Sequence, residues 1–362
     1  MDTKCLESVV EMLAWRKSNP LLTRSAREAR MGNVRQTVTE LLSSDQAEYN
    51  LRTVWTQLPS HIVDRIAGAP TTSYVIDQAN RSATLRFIYH SIEAELNHAC
   101  LRCGRPAVWT ALGDIGWMED GAPVVARRTM SGIPVDFDSP GVRIRLCIED
   151  EGNWNESSDS LSVDSRNIAI EKIDSAMECL KSGSDYCYEL VCENTRVITI
   201  TCHPKSGLFS SASSPEFPGR TELLNPHLLT VDVADVVDSL LHEAIHALLY
   251  ELERTYGSLT TSEATGTIRS PWSTRELDVH TFVHACFVWY GLFYFWGAME
   301  SLDQSPRRTV RRTLATEYKK NSQIGFVNGD PASMLTSSAV PCSVRDAVRT
   351  MQVNVRRSTN NG

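Results

Sequence analysis

The chain has 362 residues, of which 42% are hydrophobic and 22% are charged. These values are ordinary for a globular protein, and they exclude a disordered or coiled-coil chain. The formal net charge of −8 provides no uniformly basic surface, so nucleic acid is not expected as a principal partner. The sequence therefore predicts a folded protein with a large core.

The N-terminal segment lacks the pattern of a secretory signal. Asp2, Glu7 and Glu11 occur where a signal peptide needs a basic start and an unbroken apolar run. The 10 cysteines are scattered without a short, even framework, which is typical of reduced thiols. Cys100 and Cys103 form a CxxC pair, but no second pair completes a structural zinc site. We therefore expect a cytoplasmic protein without disulfides.

Three kinds of pattern follow one another along the chain. Up to residue 115, apolar residues recur at intervals of three and four, as in LESVVEML at 6–13, which predicts helices. Between 120 and 228 short segments favour strands: VRIRLCI at 142–148, YELVC at 188–192 and RVITITC at 196–202. The segment 206–220, rich in Ser, Pro and Gly, is predicted to be a loop that lies against a ligand. Helical spacing returns from 229.

These patterns predict an α+β fold that is mostly helical, with a small sheet in the middle of the chain. We expect a single catalytic domain over 1–362. Its parts would be a helical N-terminal part (1–115), a sheet-containing part (120–228) and a helical metal-binding part (229–362). The metal site is expected between two helices of the C-terminal half.

The chemistry centres on residues 232–256, for which one long helix is predicted. Asp232 is a plausible N-cap and Gly257 a plausible C-terminal stop. Within this helix the motif HEAIH puts His242 and His246 one turn apart on one face, so both imidazoles can reach a single ion. Glu243 lies beside them. The sequence therefore predicts a metalloenzyme.

The third ligand separates the known classes of HExxH protein. The metzincin pattern needs Gly and His three and six residues after His246, where this chain has Leu249 and Leu252. A thermolysin-like site would take a downstream carboxylate, for which Glu263 and Glu276 are the nearest candidates. Glu263 lies in a polar loop, and Glu276 is expected to complete a capping box, S-T-R-E, at the start of the next helix.

That next helix includes the apolar segment 283–299. The segment is barely long enough to cross a bilayer, contains His284 and comes directly after Asp278 and His280. A buried core helix is therefore favoured and no membrane is expected. Glu276, His280 and His284 would share one helix face. We predict His280 as the third metal ligand and His284 as a core residue or an outer neighbour. Three aromatic residues of this helix are expected to line a central cavity: Trp289, Phe293 and Trp296.

The order of these motifs resembles a known family. HEAIHALL, then SPW with an arginine soon after, then VHTFVHACFV, are similar to the HExxH-type peptide β-hydroxylases, which depend on iron(II) and 2-oxoglutarate. LPSHIVDRIAGAP and PGRTELLNPH extend the resemblance, so that it covers roughly residues 55–300. It implies hydroxylation at the β-carbon of a residue in a ribosomally made precursor peptide, with His242, His246 and His280 as iron ligands. The chain departs from the family at Arg275-Glu276, where an Arg-Pro pair is usual.

A 2-oxoglutarate site also needs a cation for the distal carboxylate, and arginine binds a carboxylate in bidentate fashion. Arg275 is the favoured candidate, followed by Arg269 and Arg220. Iron(II) with three facial ligands would leave positions for a 2-oxo acid and dioxygen, whereas zinc on three histidines would activate water. The alternatives to the hydroxylase are a zinc metallopeptidase with Glu243 as general base and a binding protein with a structural HExxH helix.

A basic segment lies near the C-terminal end of the resemblance. SPRRTVRRT contains Arg307, Arg308, Arg311 and Arg312. If helical, it would form a basic stripe, which is either a solvated face or a docking strip for an acidic leader peptide.

Overall fold

A computed structural model describes residues 1–16, 19–43, 49–99, 108–118, 121–143, 161–203, 207–302, 310, 312–336 and 339–360. The fold is α+β and mostly helical, as the sequence predicts. The chain divides into two compact units. Unit 1 comprises Met1–Arg24, Ser175–Val191 and Asp232–Gly362; unit 2 comprises Ser25–Asp174 and Cys192–Val231. Each unit combines segments that are distant in sequence, so the three consecutive parts expected above do not coincide with the units.

The described helices, in chain order, are α1 (Thr3–Leu13), α2 (Pro20–Ser43), α3 (Tyr49–Gln57), α4 (Ser60–Gly68), α5 (Pro70–Gln78), α6 (Arg81–Ala99), α7 (Val163–Gly183), α8 (Asp185–Asn194), α9 (Val233–Tyr256), α10 (Val279–Ser301), α11 (Arg312–Val327), α12 (Pro331–Met334) and α13 (Cys342–Asn360). The described strands are β1 (Ile115–Trp117), β2 (Pro123–Val125), β3 (Arg127–Arg128), β4 (Pro134–Asp136), β5 (Val197–Thr201), β6 (Ser210–Ala212), β7 (Arg220–Leu224), β8 (Thr267–Arg269) and β9 (Glu276–Asp278).

Unit 1 is organised around α10, which contacts α1, α9, α11 and α13. Buried residues occur on every side of α10, as expected for a helix at the centre of a bundle. The helix is long and apolar enough to cross a membrane, but 78% of its apolar window is buried inside the protein. This burial agrees with the predicted core helix.

Helices α9 and α10 approach each other closely at a glycine. A Cβ atom on Gly291 of α10 would lie 2.7 Å from Cδ1 of Ile245 of α9. The carbonyl oxygen of Gly291 also accepts a hydrogen bond of 2.8 Å from the indole of Trp15. Because Gly291 has no side chain, α10 can lie close to α9 here. His246, next to Ile245, and His284, two turns before Gly291, can therefore meet.

The start of α10 differs from the sequence-based expectation. The structure has β9 at 276–278, paired antiparallel with β8, so that Arg269 faces Glu276. The helix begins at Val279, and the Asp278 side chain caps it by accepting a hydrogen bond of 2.9 Å from the Thr281 amide. The predicted capping box from Ser273 to Glu276 is therefore wrong, because Glu276 belongs to a hairpin strand and not to the helix.

Unit 2 contains a five-stranded sheet with the order β3-β4-β5-β7-β6. Its central pair, β5 and β7, is parallel and buried, with Thr199 opposite Glu222. Strand β5 confirms the strand predicted at 196–202. The predicted loop at 206–220 instead includes strand β6, which pairs with β7. Helices α4 and α6 contribute their apolar faces to a core cluster of this unit, as the spacing predicts.

The strand predicted at 188–192 is wrong. These residues belong to α8, in which Cys187, Leu190 and Val191 are buried at helical spacing. The β-rich composition of YELVC was outweighed by a helix start at Ser184, whose carbonyl oxygen accepts from the Tyr188 amide. Other expectations fall outside the described residues: residues 144–148 of the predicted strand, Cys100 with Cys103, and Arg307, Arg308 and Arg311.

Candidate metal centre

Helix α9 carries the HEAIH motif as the sequence predicts. The Asp232 side chain accepts from the Ala234 amide at 2.9 Å, and the Asp235 side chain accepts from the Asp232 amide at 2.7 Å. The helix ends at Gly257, whose φ of +92° is in a region that glycine adopts without steric cost. The imidazole rings of His242 and His246 lie 5.0 Å apart, centroid to centroid. The two histidines therefore face the same region of unit 1.

Helix α10 brings His284 to this region. Nδ1 of His284 lies 3.2 Å from Nδ1 of His246, and the two rings are nearly parallel. Two imidazole nitrogens that bind one ion at ~2.0–2.1 Å lie roughly 3 Å apart in a tetrahedral or octahedral site. The spacing of these two atoms is that of a hydrogen bond between the rings, and it also fits two ligands of one transition-metal ion.

A carboxylate on α9 contacts both histidines of α10. Nε2 of His284 lies 2.9 Å from Oε2 of Glu253, and Nε2 of His280 lies 2.9 and 3.0 Å from its two oxygens. One ligand atom from each of Glu253, His280 and His284 lies within 4.8 Å of the other two. Among the described residues, this Glu/His/His group is close enough to hold a metal ion.

Burial and mutual contacts shift the pKa values of His246, His284 and Glu253. Burial lowers the pKa of His246 well below its usual value, and the neighbouring imidazoles lower it further. Burial also lowers the pKa of His284, against the opposing effect of Glu253. Burial opposes ionisation of Glu253, but hydrogen bonds from His280 and His284 hold its pKa below the usual range. His246 and His284 therefore offer neutral imidazoles beside an ionised carboxylate.

Aromatic rings surround the histidines. The indole of Trp289 meets His242 edge-on at 6.2 Å and stacks on Trp272 at 6.1 Å. Tyr250 stacks on His246 at 5.9 Å, and its ring lies 4.9 Å from that of His284. Rings of this kind exclude water and fix the imidazole orientations, which a metal site requires.

The predicted cavity wall is only partly found. Trp289 contacts His242, whereas Trp296 is buried against other side chains. The Trp296 ring stacks on Tyr318 at 4.6 Å, and its indole N–H donates to Asp238 at 2.7 Å. Phe293 is buried beside Tyr294. The helix is apolar all round, so its aromatic residues pack in different directions.

The candidate anchors for 2-oxoglutarate have different environments. Arg269 and Arg275 are exposed on the β8–β9 hairpin, which contacts α10. Arg220 belongs to unit 2, where it is 2% exposed and pairs with Glu222 at 3.0 Å. Its guanidinium also donates to Thr199 and to the carbonyl oxygen of Gly141. Arg220 thus forms an ion pair with Glu222 inside unit 2, and we do not retain it as a candidate anchor for 2-oxoglutarate.

Glu243 is buried on α9 beside His242. Burial raises the pKa of Tyr250, and the charges of Glu243 and Glu253 add to that shift. The predicted general base therefore lies close enough to the cluster to act on its electrostatics.

Sequence reasoning missed Glu253 and Tyr250 and assigned His284 to a secondary role. Tyr250 and Glu253 follow His246 by four and seven residues, which is the spacing of one helix face. That spacing was a usable signal for Glu253. The meeting of His284 with His246 depends on how α9 and α10 pack, and no local pattern encodes it.

The sequence matches no protein-family model and no curated protein at a significant level. The assignment of a function therefore depends on the side chains of this centre.

Proposed function

We propose that the chain is an iron(II)- and 2-oxoglutarate-dependent oxygenase that hydroxylates the β-carbon of a residue in a ribosomally made peptide. The observation that carries the proposal is the convergence of imidazoles from α9 and α10 with one carboxylate in a buried, aromatic environment. The resemblance of HEAIHALL, SPW and VHTFVHACFV to the HExxH-type peptide β-hydroxylases supports the choice of reaction and substrate.

In this proposal the ion is bound by His242, His246 and His284. The imidazoles must rotate toward a common point to bind it, because among the described residues Glu253, His280 and His284 form the group whose ligand atoms already lie within 4.8 Å of one another. His284 replaces His280 in the ligand set, because its Nδ1 atom lies 3.2 Å from that of His246, a spacing expected of two ligands of one ion. His280 and His284 both contact Glu253, but His284 also lies next to His246. Neutral imidazoles bind iron(II) and zinc alike, so the donor set fits either metal.

Iron(II) in this position would supply open coordination sites for a 2-oxo acid and dioxygen. The overall reaction converts peptide, 2-oxoglutarate and dioxygen into hydroxylated peptide, succinate and carbon dioxide. Arg275, with Arg269 as second candidate, binds the distal carboxylate of 2-oxoglutarate. Trp272, Trp289 and Tyr250 keep bulk water from the imidazoles.

A zinc metallopeptidase is the second candidate, and the buried position of Glu243 beside His242 favours it. In such an enzyme Glu243 would take the proton from metal-activated water. The peptidase has no use for a 2-oxo acid, which makes the two functions separable.

The decisive experiment needs no peptide. The protein is loaded anaerobically with iron(II), and 2-oxoglutarate is added while the visible spectrum is recorded. Chelation of iron(II) by the 2-oxo acid should produce a charge-transfer band, and succinate, which lacks the 2-oxo group, should not. Absence of the band in protein that holds stoichiometric iron(II) would contradict the oxygenase and favour the peptidase.

A further inference from the structure

The carboxylate of Glu253 joins the two histidines of α10, although neither the HExxH motif nor the resemblance includes this residue. Oε2 lies 2.9 Å from Nε2 of His284, and Oε1 lies 2.9 Å from Nε2 of His280. We propose that Glu253 is a positioning residue that keeps the His284 proton on Nε2 and thereby leaves the Nδ1 lone pair for the metal ion. The inference rests on the proposed metal centre and assigns Glu253 a role outside its ligand set.

Glu253 is itself fixed from the C-terminal end of α9. Its Oε1 atom accepts hydrogen bonds from the Leu259 amide at 2.8 Å and from the Ser258 hydroxyl at 3.2 Å. These residues follow directly after Gly257, where the helix ends. The turn that ends the HEAIH helix thus returns to hold the carboxylate, and the carboxylate cannot rotate freely away from the imidazoles.

The tautomer argument follows from hydrogen-bonding chemistry. A neutral imidazole has one N–H and one lone pair, and an ionised carboxylate only accepts hydrogen bonds. Because Glu253 is the acceptor at Nε2, His284 must carry its proton there. Its Nδ1 atom then presents a lone pair, and this is the atom that lies 3.2 Å from Nδ1 of His246. A carboxylate on the far nitrogen of a metal-binding histidine fixes both its tautomer and its orientation.

His280 is the second histidine that contacts Glu253. Its Nε2 atom lies within 3.0 Å of both Glu253 oxygens, and its ring lies 4.3 Å from that of His284, centroid to centroid. By donating to Glu253, His280 holds the carboxylate against His284 from the solvent side, where it is 36% exposed. This explains why two histidines stand one turn apart on α10 when one of them suffices as a ligand.

The alternative is an ion bound directly by Glu253, His280 and His284. That arrangement requires the opposite tautomer of His284, because Nε2 would then carry the lone pair and Nδ1 the proton. The two arrangements therefore predict different protonated nitrogens on His284. They also predict different effects of Glu253→Gln on metal affinity.

The test uses zinc as the metal probe and compares Glu253→Gln and Glu253→Ala with Glu317→Gln, an exposed carboxylate on α11 as matched control. We expect both variants at 253 to bind one equivalent of zinc, with affinity reduced roughly 10- to 100-fold. The glutamine variant should be the less affected, because its amide oxygen still accepts from Nε2 of His284. The control should bind as the wild type does.

The second readout is nitrogen NMR of zinc-loaded, histidine-labelled protein, with the His284 signal assigned by its loss in His284→Gln. We expect Nε2 protonated and Nδ1 bound to zinc. Zinc on Nε2 of His284, or complete loss of zinc from Glu253→Gln, would make Glu253 a ligand and overturn the inference. Unchanged affinity in both variants would overturn it as well. If NMR shows the predicted tautomer but the iron(II) protein gives no 2-oxoglutarate band, the inference about Glu253 stands and the proposed function alone is overturned.

Discussion

The Nδ1 atoms of His246 and His284 lie 3.2 Å apart, although 38 residues separate them in the sequence. His284 is buried and His246 is half-buried, and the tyrosine one turn after His246 packs against both rings. The two nitrogens are within hydrogen-bond distance, and the other nitrogen of His284 contacts Glu253. The proposed metal centre adds a shared ion to this pair, and the predictions below test that proposal.

The first prediction concerns the ligand set. We expect His242→Ala, His246→Ala and His284→Ala each to lose stoichiometric zinc or iron(II), because each removes a donor. His280→Ala should keep one equivalent with roughly 10- to 100-fold weaker affinity, because it loses only an outer hydrogen bond. Metal content by elemental analysis and affinity by chelator competition provide the measurement.

His61→Ala is the matched control for these variants, since His61 is an exposed histidine of unit 2. Full metal binding by His246→Ala together with loss of metal from His280→Ala would reverse the assignment. The ion would then belong to the Glu253, His280 and His284 group.

The second prediction concerns the co-substrate. Arg275→Ala should weaken 2-oxoglutarate by about 1.5–3 kcal/mol, or roughly 10- to 150-fold, since it removes hydrogen bonds to a charged group. Metal affinity should stay the same, because Arg275 is on the hairpin and not on the metal helices. Titration of the iron(II) protein with 2-oxoglutarate measures the change, with Arg357→Ala on α13 as control. Unchanged affinity would transfer the role to Arg269.

The third prediction concerns Arg220 and Glu222 in unit 2. Arg220→Met should lower the free energy of unfolding by about 3–5 kcal/mol, because it leaves a buried carboxylate without its partner. The double variant Arg220→Met, Glu222→Leu should recover much of that loss, since the apolar pair leaves no unpaired charge. Urea unfolding gives both values. A large loss of 2-oxoglutarate affinity in a folded double variant would restore Arg220 as an anchor.

The sequence predicted α9 well because its determinants are local. Asp232 caps the helix, Gly257 ends it, and HEAIH gives the spacing of its two histidines. The start of α10 was not predicted, since β8 and β9 have three residues each and their pairing outweighs the capping-box pattern. Tertiary pairing of this kind leaves no local signature.

The candidate site, too, was predicted only where its determinants are local. His242 and His246 could be read from one helix, whereas the choice between His280 and His284 depends on how α10 crosses α9 near Gly291. Both residues lie on the same face of α10, one turn apart, so sequence spacing alone treats them as equivalent. The structure distinguishes them: His284 lies 3.2 Å from His246 and is 1% exposed, whereas His280 is 36% exposed.

The last prediction uses Glu243, to which the two enzymatic functions assign different roles. In a zinc peptidase its carboxylate takes the proton of metal-bound water, so Glu243→Gln should keep the metal and abolish cleavage. In the hydroxylase the oxidising power comes from dioxygen and 2-oxoglutarate, and no carboxylate base is required. We therefore expect Glu243→Gln to keep stoichiometric metal and a measurable part of the hydroxylase activity.

The measurement is mass spectrometry of a candidate precursor peptide, incubated with the protein, iron(II), 2-oxoglutarate and air. The wild type should give a product heavier by one oxygen atom, with succinate formed in equal amount, and Glu243→Gln should give the same product more slowly. Glu317→Gln should match the wild type. Cleavage that persists without 2-oxoglutarate and disappears in Glu243→Gln would establish the peptidase instead, because only hydrolysis depends on Glu243 as a base.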